Sequence, residues 1–380
     1  DNQSFIIVDK TVVNNSGGSA SANDFLLTVD TNPVLDTVAY PVNPGLHTAG
    51  ETLLSGYTAG AWGGDCALDA TVSVALGETK TCTITNDDQS AHLILVKHLP
   101  NDNGGTAAQN DFTPSIDSGA AVWGDNAVNA GQHTASETTF SGYTPSDWSN
   151  GCSANGSVTL ALGEAKTCEI TNDDISGKIK IVKNTIGGDG TFEFTISGPT
   201  PSISSIVTSG GTGDTGFITV DAGSYSVSET SLTGWDLTNS SCTSGTPGSF
   251  TVPLDGSVTC TFTNTERGSI TVNKTTIGGD DTFNFTTTGG PSYGDFSLST
   301  ASGTGSNTQN NIVPGTYSAT ESVPAGWDKT IDTCGTLTVL PGQTATCDVT
   351  NVKHGHLIVH KITNPISDTT TQFPISVSGN

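Results

Sequence analysis

Two short stretches decide the fold: Gly268-Ser269-Ile270-Thr271-Val272-Asn273-Lys274 and Thr346-Cys347-Asp348-Val349-Thr350-Asn351. In each, apolar and polar residues alternate, which is the period of a strand with one buried face. Ile270 and Val272 share a face with Lys274, and Cys347 and Val349 share one with Asn351. Both strands therefore end on a polar residue that points to the apolar side.

The same pair of strands returns along the chain. Strands over residues 5–10, 93–97, 179–183, 270–274 and 357–361 end on Lys10, Lys97, Lys183, Lys274 and Lys361, at intervals of 87, 86, 91 and 87. A Phe-containing second strand follows at 23–25, 110–112, 191–194 and 282–285. A further strand ends in Glu51, Glu137, Glu229 or Glu321, and six positions on, after a Gly, comes Tyr57, Tyr143, Trp235 or Trp327. Each unit closes on Cys-x-x-x-Asn: Cys82 to Asn86, Cys168 to Asn172, Cys260 to Asn264 and Cys347 to Asn351. A repeat of about 90 residues with short β-branched strands reads as an all-β tandem array of Ig-like β-sandwiches. The predicted units are 1–89, 90–175, 176–267 and 268–353, with 354–380 as the first two strands of an incomplete fifth. Linkers of a few residues favour a stiff rod.

Composition narrows the function. Twelve Lys and Arg against 37 Asp and Glu give a net charge of −25, which repels phosphate backbones and anionic lipid. No nucleic-acid partner and no membrane insertion are expected, since the longest apolar runs are far too short to span. A chain of 380 residues with no Met reads as a processed product or a window on a longer protein.

Each core is predicted to hold one Lys, one Glu and one Asn. The chain has only eleven Lys and nine Glu, yet five and four of these fall in register. A buried charge costs several kcal/mol, in order of magnitude, unless paired or neutralised. Burial lowers a Lys pKa and raises a Glu pKa. A neutral amine is a nucleophile, a protonated Glu a proton shuttle, and a carboxamide an electrophile. Together they can join Lys to Asn as an amide with loss of ammonia. The same residues also suit a buried Lys–Glu pair with Asn as a hydrogen-bond partner and no covalent bond.

These residues carry a resemblance. A first strand ending in Lys, Glu-x5-aromatic after a Gly, and a closing strand ending in Asn resemble the CnaB/SpaA-type prealbumin-like domain of microbial surface proteins and pilins. Residues 315–327, Gly315 to Trp327, are the nearest stretch. The resemblance implies an intramolecular Lys–Asn isopeptide bond promoted by Glu, between neighbouring first and last strands. Carried over, the triads are Lys10, Glu51, Asn86; Lys97, Glu137, Asn172; Lys183, Glu229, Asn264; and Lys274, Glu321, Asn351. The chain departs from the usual Gram-positive pattern in its Cys pair per unit and in carrying no C-terminal sorting motif.

The cysteines fall two per unit: Cys66/Cys82, Cys152/Cys168, Cys242/Cys260 and Cys334/Cys347. An even number at repeated spacing, without Cys-x-x-Cys, reads as disulfides in an oxidising compartment rather than zinc ligands. A ~16-residue disulfide ring restricts the unfolded chain by about 3 kcal/mol, and a ~75-residue Lys–Asn ring by about 4.5 kcal/mol.

Other signals weigh less. The paired acids Asp87-Asp88 and Asp173-Asp174 could hold calcium, but Thr265-Glu266-Arg267 breaks the pattern, and solvated turns are the better reading. His354, His356 and His360 read as an exposed strand face. Asn14, Asn155, Asn239 and Asn273 head glycan acceptor sequences. No catalytic constellation repeats, so no turnover enzyme, metal or cofactor is expected. The reading is a force-resisting extracellular stalk, fibre or pilus-like filament at the cell surface, with an adhesin binding through its loops as the alternative. Its partners would be copies of itself or neighbouring surface subunits, with strand addition at the fifth repeat as one route.

Overall fold

A computed structural model describes residues 2–362 and 372–378. Its regular structure is almost wholly β, with two three-residue 3-10 turns. The repeat appears as four sandwiches of two sheets each. In unit 1 the first sheet runs Tyr40–Val42, Ser4–Val13, Thr79–Asp88, Tyr57–Ala59, and the second runs Asn32–Val34, Leu27–Val29, Gly45–Glu51, Thr71–Val74. The other three units keep this arrangement.

At the centre of each first sheet, the first strand lies parallel to the closing strand. The pairs are Ser4–Val13 with Thr79–Asp88, Ala91–His98 with Ala165–Asp174, Gly177–Ile186 with Ser257–Glu266, and Gly268–Ile277 with Thr344–Lys353. Parallel pairing of first and last strands needs a crossover through the second sheet, and it places the start of the first strand and the end of the closing strand at opposite ends of the unit. The alternating residues fill the space between the sheets: Ile270, Val272, Phe283, Phe285, Tyr317, Trp327 and Val349 are all buried in unit 4. All four cysteine pairs are bonded as expected: Cys66–Cys82, Cys152–Cys168, Cys242–Cys260 and Cys334–Cys347. The closing-strand member of each pair is 0–2 % exposed, in phase with the core.

Three expectations need correction. Residues 23–25 and 110–112, read as second strands, instead close 3-10 turns over Ala22–Asp24 and Gln109–Asp111, and the strands begin at Leu27 and Pro114. The cause is local: Ser21 N–H and Oγ–H both donate to Asp24 Oδ2, and Ala108 N–H donates to Asp111 Oδ2. Short acceptor side chains thus draw the backbone into a turn before Phe25 and Phe112. Second, the closing strands run through Asp88, Asp174, Glu266 and Lys353, so the linkers are shorter than residue type implies. Third, residues 354–362 carry no strand where one was expected over 357–361. In the other units that strand is held by a closing strand about 75 residues on, and among the described residues none pairs with 357–361. His354, His356 and His360 are exposed, though not on a strand. For the expected second strand of the fifth unit, residues 372–378, which hold Phe373, carry no strand either, and 363–371 lie outside the described residues.

Candidate functional site

Lys10 pairs across the parallel ladder with Ile84, Lys97 with Ile170, Lys183 with Phe262 and Lys274 with Val349. The Asn of the closing strand stands two positions further along, on the same face, opposite Val12, Thr185 or Thr276 in units 1, 3 and 4. Glu51, Glu137, Glu229 and Glu321 come from the facing sheet. The three residues of each triad therefore meet between the sheets, as their phase in the sequence requires.

The side chains of Lys10, Lys97, Lys183 and Lys274 are all 0 % exposed. Their Nζ atoms lie 2.5, 2.5, 3.0 and 3.1 Å from Glu51, Glu137, Glu229 and Glu321. Asn86, Asn172, Asn264 and Asn351 are at most 2 % exposed. In units 3 and 4 the Glu bridges both partners: Asn264 Nδ2 donates to Glu229 Oε1, and Asn351 Nδ2 donates to Glu321 Oε1 at 3.0 Å. Burial pushes all four lysine amines below the ordinary lysine range, against the pull of the Glu partner.

The polar complement is incomplete. Among the described residues eleven buried side-chain polar atoms have no hydrogen-bond partner, and all but Ser202 Oγ and Tyr293 Oη belong to triads. Every triad Asn leaves its Oδ1 unpaired. A buried orphan acceptor costs about 1–3 kcal/mol, and natural cores hold few of them. Their concentration at one repeated place marks the triads as sites kept for something other than packing.

Sequence reasoning noted the recurring Phe and the Tyr or Trp without seeing that they build the wall of this site. Lys10, Lys97, Lys183 and Lys274 lie over the rings of Phe25, Phe112, Phe192 and Phe283, at 4.3, 4.0, 4.3 and 4.3 Å from their centroids. Each of those rings meets the edge of Tyr57, Tyr143, Trp235 or Trp327 at 5.2–5.6 Å. The aromatic wall excludes water, which is what lowers the amine pKa, while its π-face still tolerates the ammonium form.

Of the paired acids read as solvated turns, Asp88 and Asp174 are instead buried, while Asp87 and Asp173 are exposed. Asp88 and Asp174 are 6 % and 3 % exposed. Asp88 accepts the N–H groups of Asn15, Ser16 and Gly18, and Asp174 those of Asp102, Asn103 and Gly105. Burial acts to raise both carboxyls, yet these donors outweigh it and hold them below the usual carboxylate range. Asp102, Asp173 and Asp174 bring carboxylate oxygens within 4.8 Å of one another, but Asp174 is already engaged in holding its loop.

Near the start of the Glu strand, His47 Nδ1 faces Asp30 at 2.6 Å and Nε2 faces Asn43 O at 2.7 Å; His133 does the same with Asp117 and Asn129 O. Two acceptors favour two ring protons. The Asp30 bond raises the His47 pKa above its ordinary value; at His133 burial opposes the rise, but Asn129 O and Asp117 overcome it. Units 3 and 4 place Tyr225 and Tyr317 here, each donating to the carbonyl four residues earlier. A raised histidine pKa gives stability that is full below about 6.5 and lost as pH rises through the folded value. Units 1 and 2 are thus expected to lose on the order of 0.5 kcal/mol each at mildly alkaline pH, and units 3 and 4 none. Histidine ring-proton titration by NMR checks this: midpoints for His47 and His133 at or below the ordinary value of about 6.5 would refute it.

Two models of the prealbumin-like fold domain of the SpaA type match the chain, one over residues 1–84 and 88–170, the other over 179–266 and 270–364. The chain belongs to this prealbumin-like family. No curated protein matches it. Similar solved structures include the Bacillus anthracis TIE protein, at 14 % identity over 88 % of this chain and 76 % of that one, TM-score 0.38. Two B repeat units of the collagen-binding protein of Staphylococcus aureus match at 12 % identity over 92 % and 99 %, TM-score 0.23. The shaft pilin SpaA of Lactobacillus rhamnosus GG matches at 14 % over 48 % and 100 %, TM-score 0.20. Family membership rests on the two family models and not on these superpositions.

Proposed function

We propose that the chain is a structural segment of an extracellular stalk, fibre or pilus-like filament, each unit of which closes itself with a Lys–Asn amide. One observation carries the reading: four fully buried lysines, each against a Glu carboxylate, on a strand parallel to the one bearing a buried, under-bonded Asn. In the reaction, Nζ of Lys attacks Cγ of Asn. Glu takes a proton from the amine and returns it to the carboxamide nitrogen, which leaves as ammonia. The chemistry is single-turnover and consumes its own residues, so the chain acts as a structural protein and not as an enzyme. Membership of a family met in microbial surface proteins and pilins supports the same setting, as do four disulfides, which persist in oxidising surroundings.

An intact mass after full reduction and denaturation tests the crosslinks. Each amide lowers the mass by about 17 Da through lost ammonia, and four such losses are expected. A mass equal to that of the linear sequence would leave only buried polar networks.

Assembly with other subunits follows from the same reading, and residues 354–380 offer a place for it. Lys361 lies 4.1 Å over the Phe373 ring, as the triad lysines lie over theirs, and among the described residues no strand pairs with 354–362. A strand from a neighbouring chain would supply one. Concentration-dependent association that survives truncation after Lys353 would count against this route.

The adhesin reading finds its support in unit 1, where Leu26, Leu35 and Leu53 are 53, 69 and 66 % exposed just beyond the ends of adjoining strands. A surface ligand whose binding is unchanged in a Leu26→Ser, Leu35→Ser variant would remove that support.

A further inference from the structure

The joints between units are not built alike. In the first, Gln89 N–H donates to Gly56 O at 2.9 Å, and Gln89 O accepts Gly163 N–H at 3.1 Å. A methyl group on Gly56 would meet Leu162 Cβ at 2.6 Å, so that leucine of unit 2 rests directly on the glycine. At a separate point Ala130 N–H of unit 2 donates to Ser16 O of unit 1 at 2.7 Å. The second joint repeats all of this: Ile175 bonds Gly142 O and Asp255 N–H, Leu254 rests on Gly142, and Ala222 N–H donates to Asn103 O at 2.7 Å. Asp88 and Asp174 fix the loops that carry Ser16 and Asn103.

In the third joint the contacts change places. Arg267 N–H still donates to Gly234 O at 2.8 Å. Pro341, which holds the position of Leu162 and Leu254, now lies against Gly187, in the loop equivalent to the one carrying Ser16 and Asn103. Asn311, three residues before the position of Ala130 and Ala222, is what faces Gly234. Pro314 occupies that alanine position and has no N–H to give.

A count along the linker matches the exchange. From the triad Asn to the residue four positions before the next unit's strand-ending Lys is seven positions for Asn86 to Leu93 and for Asn172 to Ile179, but six for Asn264 to Ile270. The closing strand passes almost directly into the next first strand, and in extended chain each residue reverses the side-chain direction. Taking out one residue therefore turns the following unit by roughly half a turn about the chain.

We propose that linker parity, seven positions or six, selects which face of each unit docks on the one before it. Units 2 and 3 take one orientation, and unit 4 takes the other. The faces that units 1 to 3 offer to a partner then follow one rotation, and unit 4 breaks it. The linker after unit 4 again counts six, from Asn351 to Leu357, and His354 N–H bonds Gly326 O at 2.8 Å as Arg267 bonds Gly234 O.

Spin labels at Ser115, Thr195 and Thr286, equivalent positions in three successive units, test this by pulsed dipolar spectroscopy. Introduced as unnatural amino acids, they leave the disulfides undisturbed. The Ser115–Thr195 and Thr195–Thr286 distances are expected to differ, each with a narrow distribution. Inserting one Ser after Arg267 should bring the second distance to the value of the first, and deleting Ser176 should carry the first toward the second. Equal distances in the unaltered chain overturn the proposal, as does an insertion that leaves the second distance unchanged. The unaltered chain and the deletion still decide the matter if the insertion variant does not fold.

Discussion

Pulled by its two ends, the unaltered chain is expected to show no unfolding step of unit size, whereas a Lys274→Ala variant should show one. The first and closing strands leave each unit in parallel, so force applied along the chain shears these two strands apart. The proposed amide from Lys to Asn would join them at that place and shield everything between. Removing Lys274 frees the 77 positions up to Asn351, a contour of about 27 nm in the reduced protein. With Cys334–Cys347 intact, 13 of those positions stay closed and the step shortens to about 22 nm. Single-molecule force spectroscopy reads both values. Four steps of this size in the unaltered chain would show that the strands are held by hydrogen bonds alone.

A Glu321→Ala variant should lose both the bond and much of the stability of unit 4. Glu321 holds Lys274 at 3.1 Å and the Asn351 amide at 3.0 Å, with both side chains of the ion pair 0 % exposed. Without the carboxylate there is no group to carry the proton, and the mass should rise by one retained ammonia. The lysine is left in a dry pocket with no counter-charge, which costs about 3–5 kcal/mol. Burial already lowers the amine pKa, so part of this cost is relieved by deprotonation. Unit 4 is then expected to melt separately from units 1 to 3 in calorimetry. A mass still showing four ammonia losses would mean that Glu321 pairs with Lys274 without promoting the bond.

How much of this was legible in the sequence depends on the range of the interaction. Strand period, repeat length and the placing of Lys, Glu and Asn on the apolar phase are local properties, readable because each strand is extended and its side chains alternate. The cysteine pairing was legible for the same reason: spacing within a unit leaves few other partners. The turns at residues 22–24 and 109–111 were missed because a Phe suggests a strand, while Asp24 and Asp111 bond backward to their own backbone. Asp88 and Asp174 were misread because an acidic pair at a linker resembles a solvated turn. Their partners are backbone N–H groups some 70 residues away, which no spacing reveals.

The sequence by itself determined a tandem all-β array, its disulfides and the placing of one Lys, one Glu and one Asn on the apolar phase of each of four repeats. Those follow from periodicity and from the expense of burying scarce charges out of place. Only the tertiary structure decided that a phenylalanine lies beneath each lysine and an aromatic edge beneath that, since such contacts join strands through space rather than along the chain. The joints belong to both. Their residue count stands in the sequence, but its effect, exchanging which loops touch, exists only once two rigid sandwiches share a linker too short to let them turn freely.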